Sequence, residues 1–385
     1  MATEATSHTS HTRIRKRDVV KREIEAAVGG ALLHTVGKAA ESHALRKSRL
    51  VPKSALLPKC SYEFYYHERE AEPIHGKVVP KKDQPTLIFF HGISQKSEDF
   101  APFINSLQVP PHVRILVPEQ SAHGRDIQRA RLDAQNYVQP TQFSMLESTV
   151  EFLDAVECGP NTNAFGISLG GGVCYYVAHA RPDIIKRSVL VSPAIVPCVS
   201  RDLVRSIREG TNNFFCYESR EDVKMLMRDL STGRDDKSRR KLDPVPTFFL
   251  ESIYRYSQKV APEGHNKAML ESLLASAGYD GSGELDPTQN NDINSAEVDP
   301  FSALADIDPQ ARRLVIWPEK DQIINFDQGK EFFGVKEEGD RKFTSNSPET
   351  EFVSIPDCGH VFDANGRGIF DIIKPRVQDY MLDFE

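Results

Sequence analysis

The stretch Asn163-Ala164-Phe165-Gly166-Ile167-Ser168-Leu169-Gly170-Gly171-Gly172 joins a short apolar run to a Gly-x-Ser-x-Gly pentad. A serine hydroxyl is a poor nucleophile unless a turn exposes it and a neighbouring base removes its proton. The apolar run predicts a strand and residues 173–178 predict a helix, so Ser168 would occupy the sharp turn between them. Gly166 and Gly170 would keep side chains out of that crowded turn. The pentad therefore predicts a nucleophilic serine, with an ordinary strand-to-helix loop as the alternative.

Strand patterns recur on both sides of the pentad. A helical pattern over 143–153 precedes it, and the strand-like runs occupy residues 61–67, 86–90, 113–117, 188–191, 313–317 and 351–355. Apolar strands that alternate with helices indicate a parallel sheet covered on both faces. The predicted fold class is therefore α/β, with a mostly parallel central sheet and helices on both faces.

The same alternation divides the chain into five segments. Residues 1–59 are interpreted as a disordered or helical extension, with a polar, basic linker over 38–59. Residues 60–196 and 301–385 form the two parts of the α/β core. Residues 197–280 lack a strand pattern and show helical pieces, which predicts a helical cap inserted over the carboxyl edge of the sheet. Residues 281–300 are rich in Gly, Asn and Asp and predict a flexible surface loop.

Two late strand ends carry candidate partners for the serine. Asp321 and His360 follow the last two strand-like runs, so both should reach the sheet edge that carries Ser168. The order Ser, Asp, His along the chain is one of the known serine-hydrolase orders. His360 would act as the general base, and Asp321 would orient its ring and stabilise the imidazolium. Glu319 and Asp357 are alternative acids, although Asp357 is too close in sequence to His360 to lie on the neighbouring strand.

The tetrahedral intermediate of such a reaction also needs hydrogen-bond donors. The backbone N–H of Leu169, directly after the nucleophile, should supply one donor. The second is expected from the loop after the 86–90 run, and we assign it to the backbone N–H of Ile93. His91 in this loop is interpreted as a brace that hydrogen bonds within the loop rather than as a proton carrier.

The length and composition of the chain limit the classes of protein to which it can belong. A chain of 385 residues with 39% hydrophobic content can form one large α/β domain with an insertion. The net charge of -7 argues against nucleic-acid binding. Six cysteines without CxxC or CxxH spacing argue against a disulfide framework and a zinc site, so we expect a cytoplasmic protein without metal or other cofactor. No apolar run approaches the roughly 20 residues of a membrane-spanning helix.

The amino-terminal segment is basic. Residues 13–17 read Arg-Ile-Arg-Lys-Arg and lead into a helical pattern over 20–32 with apolar residues on one side. This helix would pack on the body of the protein or extend into solvent. The alternative is a basic amphipathic helix that makes peripheral contact with an anionic membrane. Glu23 and Glu25 argue against that contact and against a mitochondrial transit peptide. The sequence indicates no oligomeric state.

Together these motifs resemble a known family over residues 61 to 383 or so. The chain is similar to the α/β-hydrolase superfamily, and within it to monoacylglycerol lipases of the hydrolase-domain type. The resemblance rests on the pentad and on Phe90-His-Gly-Ile-Ser94, Trp317-Pro-Glu-Lys-Asp-Gln322, Asp357-Cys-Gly-His360 and Tyr256-Ser-Gln258. The family usually has Met at the position of Leu169 and Gly at that of Pro318, and the Asp-x-Pro-Gly-His-Gly-x-Ser loop is altered over 119–126. The resemblance implies the α/β-hydrolase fold and a lipid-ester substrate.

The predicted function is a serine hydrolase that cleaves carboxylic esters through an acyl-enzyme intermediate, on substrates such as monoacylglycerols. Serine at 168 argues against epoxide hydrolases and dehalogenases, whose nucleophile is a carboxylate. Aromatic cap residues would line an acyl pocket or form the cap core: Phe214, Phe215, Phe248, Phe249 and Tyr254. The alternatives are a small-molecule esterase, a C–C bond hydrolase or an aminopeptidase of the same fold, and a non-catalytic receptor or scaffold.

Overall fold

The computed structural model describes residues 35–60, 62–127, 132, 137–214, 216–231, 250–251, 253–255, 264–276, 312–338, 342–363 and 365–384. Its strands are β1 (Val51–Leu57), β2 (Tyr62–Arg69), β3 (Thr86–Phe90), β4 (Arg114–Pro118), β5 (Thr162–Ile167), β6 (Ile185–Val191), β7 (Arg312–Pro318), β8 (Val335–Glu338), β9 (Lys342–Ser345) and β10 (Thr350–Ile355). Its helices are α1 (residues 35–48), α2 (Ala101–Ser106), α3 (Gln142–Ala155), α4 (Leu169–Ala180), α5 (Arg201–Arg208), α6 (Arg220–Asp229), α7 (His265–Ser276), α8 (Phe326–Phe332) and α9 (Ile369–Met381).

Eight strands form one sheet in the order β1-β2-β4-β3-β5-β6-β7-β10. The pairs from β4 to β10 are parallel, whereas β1 and β2 run antiparallel to their neighbours. Every residue of β3, β4 and β5 is buried, which explains their apolar runs. The predicted mostly parallel sheet is confirmed.

The apolar core lies on both faces of this sheet. Ile88 and Phe90 of β3 belong to a cluster that includes residues of α3 and α4. Leu87 and Phe89, which alternate with them, belong to a second cluster that includes residues of α2 and α9. Because successive strand residues point to opposite faces, helices must cover both faces, as the sequence predicted.

The strand order also places a crevice at the carboxyl end of β5. From β3 the chain first adds β4 on one side, and it then returns to add β5 on the other side of β3. At such a reversal the loops after the two strands leave in opposite directions and open a crevice, where ligands bind in open α/β sheets. Ser168 directly follows β5, and His91 directly follows β3.

The prediction of a linker over 38–59 is wrong. Residues 35–48 form α1, and β1 pairs with β2 along its full length, from Val51 opposite Glu68 to Leu57 opposite Tyr62. This strand was not predicted because it lies at the sheet edge, where most of its side chains remain exposed or half-buried, so it has no apolar pattern. Backbone pairing therefore stabilises β1 more than side-chain burial does. The β8–β9 hairpin was not predicted either.

The described residues between β6 and β7 form helices that are joined by turns and loops. The helices α5, α6 and α7, and the helical residues 250–251 and 253–255, lie where helical pieces were predicted. The predicted loop over 281–300 and the basic helix over 20–32 lie outside the described residues. Among the residues that are described, no helix combines the length and apolar character needed to cross a membrane.

Candidate active site

Ser168 occupies a strained turn between β5 and α4. Its backbone has φ 55 and ψ -123, a left-handed conformation that a side-chain-bearing residue rarely adopts. Three backbone hydrogen bonds hold the turn: Ser168 N–H donates to Val191 (2.9 Å), while Ala194 N–H (2.8 Å) and Gly172 N–H (3.0 Å) donate to the Ser168 carbonyl. A conformation that costs about 1–3 kcal/mol persists only where the surroundings fix it.

The two pentad glycines allow this turn to pack closely. A Cβ on Gly166 would lie 2.2 Å from the carbonyl oxygen of Gly170, and a Cβ on Gly170 would lie 2.1 Å from that of Phe90. Both distances are far below van der Waals contact. Glycine is therefore required at both positions, which is the physical reason for the pattern predicted to surround the serine.

His360 and Asp321 are in direct contact. His360 Nδ1 lies 2.6 Å from Asp321 Oδ2, and both side chains are buried. The other carboxylate oxygen, Oδ1, accepts the backbone N–H groups of Ile323 and Ile324, each at 2.9 Å. The carboxylate is thus held on both oxygens, and its contact leaves His360 Nε2 as the ring nitrogen available for other chemistry. The loops after β7 and β10, which are adjacent parallel strands, bring these residues together.

The two alternative acids have other partners. Glu319 Oε1 accepts the hydroxyl of Ser354 at 2.8 Å. Asp357 forms an exposed ion pair with Lys320, with a separation of 2.7 Å. The carboxylate that contacts the histidine ring is that of Asp321, so the described geometry favours Asp321 as the acid.

The loop that carries Ile93 forms a tight turn against Ser168. Gly92 N–H donates to Gln95 Oε1 at 2.8 Å, and Gln95 N–H donates back to the Gly92 carbonyl at 3.2 Å. Ser94 has φ 62. A Cβ built on Gly92 would lie 3.4 Å from Ser168 Cβ, so the turn directly adjoins the serine. Leu169 is the first residue of α4, where a backbone N–H has no acceptor within its own helix.

His91 braces this loop, as predicted. Gln120 N–H donates to His91 Nε2 at 3.1 Å, and His91 Nδ1 lies 2.9 Å from the Gly92 carbonyl. The ring is therefore the neutral tautomer that carries its proton on Nδ1. Burial lowers the pKa of His91 to about 3, and nearby His123 contributes. A ring that stays neutral and has both nitrogens occupied is suited to bracing rather than to proton transfer.

The segment between β6 and β7 contacts the loops that carry Asp321 and His360. Ser200 N–H donates to the Ile323 carbonyl at 2.9 Å, close to Asp321. At the end of α6, the Leu230 carbonyl accepts the N–H of Val361 at 2.8 Å, directly after His360. No pattern of residues predicts these contacts, because they involve only backbone atoms.

The aromatic residues predicted to line an acyl pocket are only partly described. Phe214 is 5% exposed and belongs to the apolar cluster on the α3 and α4 face, so its burial favours a packing role. Tyr254 is half-buried. Phe215, Phe248 and Phe249 lie outside the described residues.

Comparison with known proteins agrees with this architecture. A family model for the alpha/beta hydrolase fold matches residues 85–215. No curated protein sequence matches the chain.

Three solved structures are similar over most of their length. A lipase candidate from Acinetobacter baumannii AYE has a TM-score of 0.60 and 15% identity, covering 90% of this chain and 96% of the other. An esterase from Exiguobacterium antarcticum has a TM-score of 0.54 and 11% identity, covering 86% and 99%. A meta-cleavage product hydrolase from Pseudomonas fluorescens IP01 has a TM-score of 0.50 and 17% identity, covering 85% and 96%. The sheet order, the strained serine turn and these similarities together show that the chain has the α/β-hydrolase fold.

Proposed function

We propose that the protein is a serine hydrolase that cleaves carboxylic esters through an acyl-enzyme intermediate. The observation that carries the proposal is the 2.6 Å contact between His360 and Asp321, at the sheet edge where Ser168 occupies its strained turn. A histidine that a carboxylate orients can activate a serine hydroxyl that reaches its second ring nitrogen. A receptor or scaffold has no physical need for this combination of residues.

In the proposed reaction, Ser168 Oγ attacks the ester carbonyl while His360 Nε2 takes the serine proton. The N–H groups of Ile93 and Leu169 stabilise the oxyanion that forms, a contribution of about 2.7–4 kcal/mol per donor in comparable enzymes. His360 then gives its proton to the leaving alkoxide. Water then attacks the acyl-enzyme while His360 Nε2 takes one of its protons, and His360 returns that proton to Ser168 Oγ as the carboxylic acid leaves. Asp321 keeps the proton of neutral His360 on Nδ1 and stabilises the imidazolium.

We propose lipid esters of the monoacylglycerol type as substrates. The resemblance of residues 90–94, 317–322 and 357–360 to monoacylglycerol lipases supports this class. Such substrates reside in membranes, and the alternative interpretation of the amino-terminal segment, as a basic amphipathic helix, would bring the enzyme to an anionic membrane surface. A small-molecule ester or C–C bond hydrolase is the second candidate, favoured by the similarity to the meta-cleavage product hydrolase.

Labelling with a fluorophosphonate probe tests the reaction class. Wild-type protein should be labelled, and Ser168→Ala should not, whereas Ser148→Ala, another buried serine, should be labelled like wild type. Absence of labelling in folded wild-type protein would refute the serine-hydrolase proposal.

A series of p-nitrophenyl esters and monoacylglycerols of increasing chain length tests the substrate class. Medium and long acyl chains should be hydrolysed faster than acetyl esters, because an apolar site gains about 0.8 kcal/mol per buried methylene. Much faster turnover of acetyl than of decanoyl esters would refute the lipid proposal and support the small-molecule alternative.

A further inference from the structure

The loop after β4 holds both ends of the segment that carries Ile93. At the front end, the Gln120 side-chain amide donates to the His91 carbonyl, and its backbone N–H donates to the His91 ring. Gln120 is 2% exposed. The start of the segment is therefore fixed by two hydrogen bonds from one residue.

The back end of the segment is held through a buried hydroxyl. Ser97 Oγ, in a fully buried side chain, lies 2.9 Å from Glu119 Oε2 and 2.9 Å from His67 Nδ1. Glu98 offers a more distant oxygen at 3.3 Å. Since the hydroxyl has one proton, the shortest arrangement is donation to the Glu119 carboxylate and acceptance from the His67 ring.

Glu119 is itself held in place by its own loop. Its other oxygen accepts the backbone N–H of Arg125. Gly124 has φ +47, and a Cβ there would lie 2.2 Å from the Glu119 carboxyl carbon. The loop therefore folds tightly around the carboxylate, and only glycine fits at that point. Burial raises the pKa of Glu119, while the hydrogen bonds from Arg125 and Ser97 act in the opposite direction.

We propose that Glu119 and Ser97 form a positioning pair that sets the orientation of the Ile93 N–H toward the reacting carbonyl. This inference rests on the proposed serine-hydrolase function. The two hydrogen bonds between Gly92 and Gln95 fix the shape of the turn over 92–95, whereas its orientation relative to Ser168 depends on its two anchors. Neither Glu119 nor Ser97 contacts the substrate in this proposal; both act through the loop backbone. The pair was not identified from the sequence, although the loop over 119–126 was noted there as a departure from the family pattern.

The test compares Ser97→Ala, Glu119→Gln and the double variant with wild type on p-nitrophenyl butyrate. Each preparation is titrated to completion with a fluorophosphonate, so that kcat is expressed per labelled site and is independent of the folded fraction. Complete loss of one oxyanion donor costs about 100- to 1,000-fold in kcat, so a misdirected donor should cost about 10- to 100-fold. KM should change by no more than about threefold. The double variant should be no slower than the slower single variant, because both changes break the same hydrogen bond.

The matched control is Ser148→Ala, which removes a buried hydroxyl bonded to the Met145 carbonyl within α3. It should leave kcat per labelled site unchanged. A merely structural role for Ser97 would lower the unfolding temperature and the labelled fraction, but would leave kcat per labelled site at the wild-type value; that result would overturn the inference. Additive losses in the double variant would also overturn it. If wild type neither reacts with the probe nor hydrolyses any ester, the proposed function itself fails, and this assignment fails with it.

Discussion

The substitution Asp321→Asn tests the candidate site most sharply, because the surroundings dictate how the new amide must be oriented. Asp321 Oδ1 accepts two backbone N–H groups, from Ile323 and Ile324. In the variant, the amide oxygen has to take this position, since an NH2 group would oppose two donors. The NH2 group must then face His360 Nδ1, where Asp321 Oδ2 lies at 2.6 Å in the wild type.

This orientation inverts the histidine tautomer. With an N–H donor facing it, His360 Nδ1 becomes an acceptor, so the ring proton moves to Nε2. A protonated Nε2 cannot take the proton of Ser168. The variant also loses the carboxylate that stabilises the imidazolium. The corresponding change in another serine hydrolase lowers kcat about 10⁴-fold with the geometry intact, and we expect a loss of about 10³- to 10⁴-fold here.

The assay is hydrolysis of p-nitrophenyl butyrate at pH 7.5, with circular dichroism and thermal unfolding to show that the variant is folded. Asp357→Asn is the matched control, because that carboxylate is exposed and forms a surface ion pair with Lys320. The control should retain wild-type kcat. If Asp321→Asn retains more than a tenth of the wild-type kcat, the tautomer argument is wrong and the acid lies elsewhere.

Two further predictions concern stability. Arg114 and Glu68 form a buried ion pair of 2.6 Å, with a second bond from Arg114 to the Val156 carbonyl, so Arg114→Leu should lower the free energy of unfolding by about 3 kcal/mol. Urea unfolding measures this loss; a change below about 1 kcal/mol would contradict it. Burial lowers the pKa of His91 to about 3 and of His123 to about 4, so both stay neutral in the native state while the unfolded chain binds protons below about pH 6.5. The contribution of these neutral histidines to the free energy of unfolding is therefore fully present above pH 6.5 and is lost as the pH falls toward 4. Unfolding at several pH values should show a shallower slope for His123→Gln, and an unchanged slope would contradict the assignment.

The sequence predicted the parts of the fold whose signal is local. The strands β3, β4 and β5 are buried along their whole length and carry apolar runs, so they could be recognised without any partner. The strand β1 could not, because most of its side chains stay exposed and its stability comes from pairing with β2. The pattern of side chains in a sequence does not indicate a strand that is stabilised mainly by its backbone hydrogen bonds.

The candidate site divides in the same way. Ser168, Asp321 and His360 each follow a recognisable strand, so topology alone predicted a common sheet edge. The anchors of the Ile93 loop could not be predicted, because Glu119 and Ser97 are distant in sequence and meet only once β3 and β4 are paired. The cap aromatics remained ambiguous because acyl pockets and cores use the same residue types.

The contacts from Ser200 and Leu230 to the loops of Asp321 and His360 have a consequence for engineering. Both contacts use main-chain atoms, so they place no demand on the side chains at these positions. Insertions of very different sequence could therefore replace this segment without disturbing Asp321 and His360, provided that their backbones make the same two hydrogen bonds. Under the proposed function, substrate range and reaction chemistry would then be separable: a chimera that keeps those two hydrogen bonds should acquire the selectivity of the donor protein and keep the activity of Ser168.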